Sequence, residues 1–457
     1  MALSVGAYLS RYDEVLKTFY LPAVQEQLNN TNFLSSIIEV NETDISGKNA
    51  TMEMHYGRST GVGARADGGD LPSADYQKFK TAIVPMKYLY GRVTFSGPTI
   101  AATRDEKGAY ARVVDTEITG IVDDLKREVN RQLWGCGYGV LARWRTTVGA
   151  TSYTLQKQYR ANTAGGDGFG STFGAKYLDE MNNAVPVVLT VSTSVIIAAT
   201  VDATNIAVSA ITEATGYDTI TCTNPSVTEA AGTWYIRPAS GVSITTASAA
   251  GAFRLEMMGI RGIVTDTNIQ DIILYGQGTS INASLADPLQ GLAVATYGWW
   301  KANVDSYSTR YGGQRALTFN LMQKMFDKVE KKAGEGYGPD VILTTRAIRR
   351  EYLDLCQADR RSVNTMTLDG GWVALDYNGI PLMVDNDAID GEMYFLTTKD
   401  LQLYRMADYD WMQKDGAILS RLSGYDAYEA VLYRYAELGC LRRNSQGVLC
   451  DLDYEAD

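Results

Sequence analysis

His55 is the lone histidine of the chain, so any Ser–His–Asp or Cys–His nucleophile, and any histidine zinc site, would have to run through it. It lies in the alternating stretch TMEMHYG, a pattern that makes it a partly exposed strand residue. The cysteines, Cys136, Cys222, Cys356, Cys440 and Cys450, are odd in number and contain no C-x-x-C pair. They read as reduced thiols in a cytosolic setting, neither a disulfide framework nor a zinc ribbon. The segment GRSTGVGARADGGDLPSADYQ sets Gly57, Gly61, Gly63, Gly68 and Gly69 among Arg58, Arg65, Asp67 and Asp70. A phosphate cradle needs Lys-Ser/Thr after its glycines and a helix N-terminus behind them, and neither follows here. Asp123–Asp124 is an acidic pair of the kind used in general acid–base work, but its spacing puts it on the solvated face of a helix. No catalytic, cofactor-binding or metal-binding residue is expected.

The Gly-rich segment must be carried by its flanks. Two strand-like arms, Thr51–Tyr56 and Lys80–Phe95, make it the charged tip of a long hairpin. A two-stranded hairpin is marginal in water, so this one needs another surface. Upstream, Tyr8, Leu9, Tyr12, Val15, Leu16 and Phe19 recur at helical spacing until Pro22. They form an amphipathic N-terminal arm, docked on its own domain or reaching a neighbouring subunit. Downstream, Thr103-Arg-Asp-Glu106 fits a capping box, and Val114, Ile118, Ile121, Val122, Leu125, Val129 and Leu133 share one stripe. Arg112, Asp115, Asp123, Lys126, Arg127 and Arg131 take other faces, and GCGYG stops the helix. Its length is about 30 residues, or ~45 Å.

The chain has 457 residues, which at ~150 per domain gives a soft prior of about three domains. Its net charge of −11 argues against a protein that grips nucleic acid. No basic and apolar leader is visible at the start. Met181 to Val201 carries no charge, but its apolar residues alternate from Val187, which is strand periodicity and not a membrane span. From Asn182 to Phe253 only Asp202, Glu213, Asp218, Glu229 and Arg237 are charged, and turn signals recur at short intervals. That composition predicts a small barrel or sandwich inserted into a host domain. The remainder is mixed α/β. Thr318 caps a helix ending at Gly334, Val341–Leu343 is a strand, and TTRAIRREYLDLC is a basic helix. WVALDYNGIPLMV is a hairpin turning at Asn378-Gly379, Met393–Leu396 is a buried strand, and YDAYEAVLYRYAEL is a long alternating one. Tyrosine outnumbers phenylalanine 29 to 10, which suits surfaces that become interfaces.

This order of elements resembles the major capsid proteins of tailed bacteriophages. The likeness is carried by FLSSIIEVNETDISGKNATMEM before the loop, AYARVVDTEITGIVDDLKREVNRQLWG as a spine helix, and GIRGIVTD as the return from an insertion. VILTTRAIRREYLDL, NGIPLMVDND and YRYAELGCLRRNSQGVLCDL resemble the axial and peripheral domains. The resemblance implies an α+β, HK97-like capsid fold with a small all-β insertion domain. Its parts would be an N-terminal arm (1–50), an extended loop (51–100), and a spine helix with the first part of the peripheral domain (101–140). The axial domain would begin at 141–181, be interrupted by the insertion (182–258), and resume at 259–397, with terminal strands of the peripheral domain at 398–457. It further implies a non-enzymatic virion protein, assembled in the host cytoplasm into hexamers and pentamers around DNA that it does not read. Like charge on shell and DNA lets the DNA slide. A separate scaffolding protein, a portal and a decoration protein are the implied partners, and no membrane is.

Arg58, Arg65, Asp67, Asp70 and Lys78 on the loop, with Tyr8 and Tyr12 on the arm, are the candidate subunit-interface residues. Some family members join subunits by a Lys–Asn cross-link. Lys78 and Lys80 lie on the loop, but the sequence identifies no asparagine and carboxylate partner. Two alternatives stand beside this reading. One is an encapsulin-like compartment, from which the length and the insertion point away. The other is an enzyme or carbohydrate-binding protein using the insertion, where Trp234 and Tyr235 are the aromatic platform.

Overall fold

In the computed structural model the residues described are 33–98, 107–137, 139, 141–147, 152–156, 173, 176–177, 184–192, 195–201, 208–214, 217–222, 234–238, 255–267, 288–307, 314–334, 336–358, 365–367, 373–413 and 420–454. The N-terminal arm with Tyr8 and Tyr12, and the Thr103 capping box, lie outside them.

The chain enters through α1 (Phe33–Ile37), β1 (Glu39–Asn41) and β2 (Ile45–Ser46). It then builds the hairpin from β3 (Asn49–Gly57) and β4 (Lys78–Pro85). The predicted second arm, Lys80–Phe95, is two strands and not one. Pro85 ends β4, since it has no N–H to give to a ladder, and the Met86 amide turns to the Lys48 carbonyl at 3.0 Å. After this break β5 (Lys87–Ser96) leaves the hairpin for another sheet, and α2 (Lys107–Trp134) follows.

Next come β6 (Ala142–Thr147), β7 (Ser152–Gln156), β8 (Ala184–Ser192), β9 (Val195–Val201), β10 (Val208–Ala214), β11 (Tyr217–Cys222) and β12 (Trp234–Pro238). All seven form one antiparallel sheet in the order β10-β11-β7-β6-β12-β8-β9. The sheet therefore begins before residue 182. The strands of 142–156, expected to open the axial domain, pair within it. Trp234 and Tyr235 stand on β12, an interior strand.

The short helix α3 (Ile260–Ile263) returns the chain to β13 (Asn303–Asp305), α4 (Phe319–Ala333), β14 (Val341–Thr344) and α5 (Arg346–Ala358). β15 (Thr365–Thr367), β16 (Val373–Tyr377), β17 (Ile380–Val384) and β18 (Met393–Leu396) follow. The chain closes with β19 (Leu401–Trp411), β20 (Ser420–Arg421), β21 (Ala427–Cys440) and β22 (Gly447–Leu449). β13-β22-β18-β14-β17-β16-β15 is a seven-stranded mixed sheet, parallel at β13/β22 and β14/β17. β1-β19-β21-β20, with β5 on the far side of β21, is a five-stranded sheet.

Side-chain alternation decides how these layers stack. In the mixed sheet Ile342, Phe395 and Leu449 join Met322, Met325, Ile348 and Tyr352 of α4 and α5 in one apolar cluster. Their neighbours Val341, Leu343, Tyr394, Leu396 and Val448 belong to the other cluster, with Leu133 and Trp134 of α2. The sheet is thus covered on both faces. The other half of α2 lies on the five-stranded sheet, where Gly91 leaves room for Ile121; a Cβ there would come within 2.9 Å of its Cγ1. One helix therefore ties the mixed sheet to the sheet from which the hairpin departs. Among the described residues no helix is long and apolar enough to cross a membrane.

Candidate functional site

The hairpin follows a strict period of two. Ala50, Met52 and Met54 of β3, with Ala82 and Val84 of β4 and Met86 beyond it, are buried, and the residues between them face outward. The buried set lies in one apolar cluster with Leu289, Leu292 and Trp300. The sequence left the hairpin without an obvious partner inside its own chain, and the structure supplies one for its base. Tyr56 stacks on Trp299 with ring centroids 5.2 Å apart and planes 7° apart, and meets Tyr297 edge-on at 6.4 Å. Lys80 Nζ sits 5.5 Å from the Tyr297 ring. Lys80 is thereby placed at a cation–π contact of the hairpin base.

Among the described residues the tip has no such support. Val62, Leu71 and Tyr76 are 88%, 87% and 83% exposed. Arg58, Arg65, Asp67, Asp70 and Lys78 are all exposed as well. The hydrogen bonds that shape the tip bypass these five. Asp75 accepts from the Thr60 hydroxyl at 2.6 Å and the Thr60 amide at 3.0 Å, while the Ser59 hydroxyl donates to the Asp75 carbonyl at 2.9 Å. The Thr60 hydroxyl, then the amides of Thr60 and Tyr76, hold the Asp75 carboxyl down at about 2. Sequence reading missed Asp75 and Thr60 because their pairing spans the whole loop. It also undercounted the apolar residues, since Val62, Leu71 and Tyr76 stand singly among polar neighbours. His55 is exposed on β3 as expected, 2.8 Å from Gln77 and packed on Phe79.

Several buried titratable groups hold the body together. Arg131, expected on an outward face of α2, is 1% exposed. It donates to Glu128 and, at 2.6 Å, to Glu256 of the return segment, while Gln132 accepts the Met257 amide at 3.1 Å. The last turns of α2 are enclosed on all sides, so a charged side chain there must carry its partners inside with it. Asn130 reaches Asp387 at 2.5 Å and Lys176 reaches the same carboxylate at 2.6 Å. Arg443, in the RNSQG turn, is buried and donates to the backbone carbonyls of Gly262, Ile263, Thr267 and Trp300. Glu437 accepts the Met258 amide at 2.5 Å and its neighbour Leu438 at 3.0 Å. Burial pushes its carboxyl up to about 8, against the Lys87 charge and those two amides. The Asp123–Asp124 pair lies on a solvated face, within i,i+3 reach of Lys126 and Arg127. Cys136, Cys356, Cys440 and Cys450 are buried free thiols. No three His, Cys, Asp or Glu side chains among the described residues are arranged to hold a metal ion.

No family model matches the sequence. No curated protein matches it either. Solved structures do. The capsid chain of cyanophage A-1(L) aligns over 96% of this chain and 98% of its own, at 14% identity and a TM-score of 0.55. This chain has the fold of a phage capsid chain. The capsid of the Myoviridae phage XM1 covers 98% of this chain and 99% of its own at 8% identity, with a TM-score of 0.46. An encapsulin from Synechococcus elongatus covers only 39% of this chain and 61% of its own, at 14% identity and a TM-score of 0.27.

Proposed function

We propose that this chain is the major capsid protein of a tailed bacteriophage, self-assembling into the icosahedral head shell that encloses double-stranded DNA. The observation that carries the reading is the fold shared with the cyanophage capsid chain over nearly the full length of both. The hairpin supports it from another direction, since its tip exposes apolar residues that no other described residue covers.

On this reading the architecture is HK97-like. The β3–β4 hairpin is the extended loop, α2 the spine helix, the five-stranded sheet the peripheral domain and the mixed sheet the axial domain. The antiparallel sheet is an insertion running from about residue 142 to 238, earlier than the sequence alone placed it. Arg58, Arg65, Asp67, Asp70 and Lys78 are interface residues of the loop, and Tyr8 and Tyr12 those of the arm. The protein forms hexamers and pentamers in the host cytoplasm with a scaffolding protein, joins a portal, and takes a decoration protein on its outside. It is structural and not an enzyme. Its charge of −11 keeps the packaged DNA free to move.

Negative-stain microscopy and sedimentation of the purified chain, with its scaffold if required, test this. Capsomers or closed shells are expected. A chain that stays monomeric under all assembly conditions overturns the reading.

A further inference from the structure

Among the described residues β5 pairs along only one of its two backbone edges. Its ladder with β21 runs without a bulge from Ser96 opposite Ala427 to Lys87 opposite Ala436, and continues in the Gly97 amide, which donates to the Asp426 carbonyl at 2.8 Å. In an antiparallel pair, residues that exchange hydrogen bonds alternate with residues whose N–H and C=O point the other way. The Gly97–Asp426 bond therefore assigns Leu89, Gly91, Val93 and Phe95 to the β21 side. The N–H and C=O groups of Tyr88, Tyr90 and Arg92 face the opposite edge. Among the described residues no strand pairs with that edge.

The side chains of the same three residues stand on the face turned away from α2. Tyr88 and Tyr90 are 47% and 53% exposed. Beside them Tyr435 meets both rings edge-on, at 5.0 and 5.9 Å, and Tyr433 lies 4.9 Å from Tyr435. Arg92 pairs with Glu429 at 2.6 Å on the same face. Exposed edges are ordinarily blunted by a proline, a bulge, a charged side chain or a covering segment, because an open one recruits another strand; the charge on this edge, Arg92, is paired with Glu429. The open stretch Tyr88–Arg92 has neither a proline nor a bulge, and it carries aromatic side chains suited to an interface.

We propose that this edge is a two-fold contact between copies of the chain, in which two β5 strands pair antiparallel about Tyr90 and merge two five-stranded sheets into one. The inference rests on the shell reading above. A shell of hexamers and pentamers has two-fold and local two-fold axes between capsomers, and a two-fold contact is made by the same surface on both subunits. The charges select the register. Pairing about Tyr90 sets Tyr90 across from its copy and Arg92 across from Tyr88, as a cation over a ring, at both ends. Pairing about Arg92 would set two guanidinium groups against each other, which is destabilising.

The test uses the full-length chain carrying Tyr90→Cys, assembled and treated with a short bismaleimide, with the unsubstituted chain as control. A covalent dimer appearing only in the substituted, assembled protein is expected. A second variant, Tyr90→Pro, removes an outward N–H and leaves the β21 ladder intact, and it should reduce the yield of closed shells at least ten-fold while capsomers still form. Shells that assemble from Tyr90→Cys without any cross-linked dimer overturn the contact and leave the shell reading standing. An unsubstituted chain that never assembles overturns both.

Discussion

In the β3–β4 hairpin Met52 and Met54 are buried in the main core, whereas Val62, Leu71 and Tyr76 on the same hairpin stand more than four-fifths exposed. The base has an apolar bed and an aromatic stack on Trp299. The tip has a turn held by Asp75 and, among the described residues, no apolar bed beneath it. Ordering a loop costs about 1–2 kcal/mol per residue in backbone entropy, and a few local hydrogen bonds offset only part of that. The base is thus a component of the folded monomer. On the shell reading proposed above, the tip is shaped for contacts made with another copy.

If that division is right, substitutions in the two parts fall into separate classes. The largest loss of monomer stability belongs to the base. Met52→Ala leaves a cavity under the hairpin and should cost about 2–5 kcal/mol, read from denaturant unfolding of the unassembled chain. A cost near zero would mean that the base, too, is only loosely attached.

Titration separates the regions by sign. Glu437, buried on β21 of the five-stranded sheet, has its carboxyl raised from the ordinary range to about 8. The folded state binds this proton more tightly than the unfolded chain, so its contribution is present at low pH and is lost as pH rises through 8. Asp75 at the tip is lowered to about 2, so its contribution is present above the ordinary carboxylate range and is lost as pH falls towards 2. Melting temperatures should therefore fall as pH rises from the ordinary glutamate value of 4.5 to about 8, and Glu437→Gln should flatten that slope. An unchanged slope in the variant would place the alkaline sensitivity elsewhere.

A smaller effect is expected where base and tip meet. Tyr56→Ala removes the stack on Trp299, which is worth about 0.5–1.5 kcal/mol beyond area burial. Tyr56→Phe should keep it. Thermal melts of the two variants beside the unsubstituted chain make the comparison, and equal losses in both would assign the effect to the hydroxyl.

What could be read from the sequence was local. Asn378 and Gly379 both adopt positive φ, at 55° and 79°, and that is the turn which an Asn-Gly pair between alternating strands announces. Thr318 caps α4 through the Leu321 amide at 3.2 Å, as its place before an apolar stripe required. The charged, Gly-rich tip was visible as a segment with little to bury. What could not be read was non-local. Tyr56 and Trp299 are far apart in the chain, and nothing in either neighbourhood marks a stack. Arg131 carries the same helical spacing as its solvated neighbours, and only the arrival of Glu256 makes its position an interior one. β6 and β7 pair with strands well beyond them in sequence, so the start of their sheet had no local signature.

The most direct test of the account replaces residues 58–77 with Asn-Gly, joining Gly57 to Lys78 by a two-residue turn. Thermal unfolding of the unassembled variant and microscopy of the assembled preparation are measured together. The account predicts an unchanged melting temperature and no complete shells. Shells of normal yield and stability from that variant would contradict it.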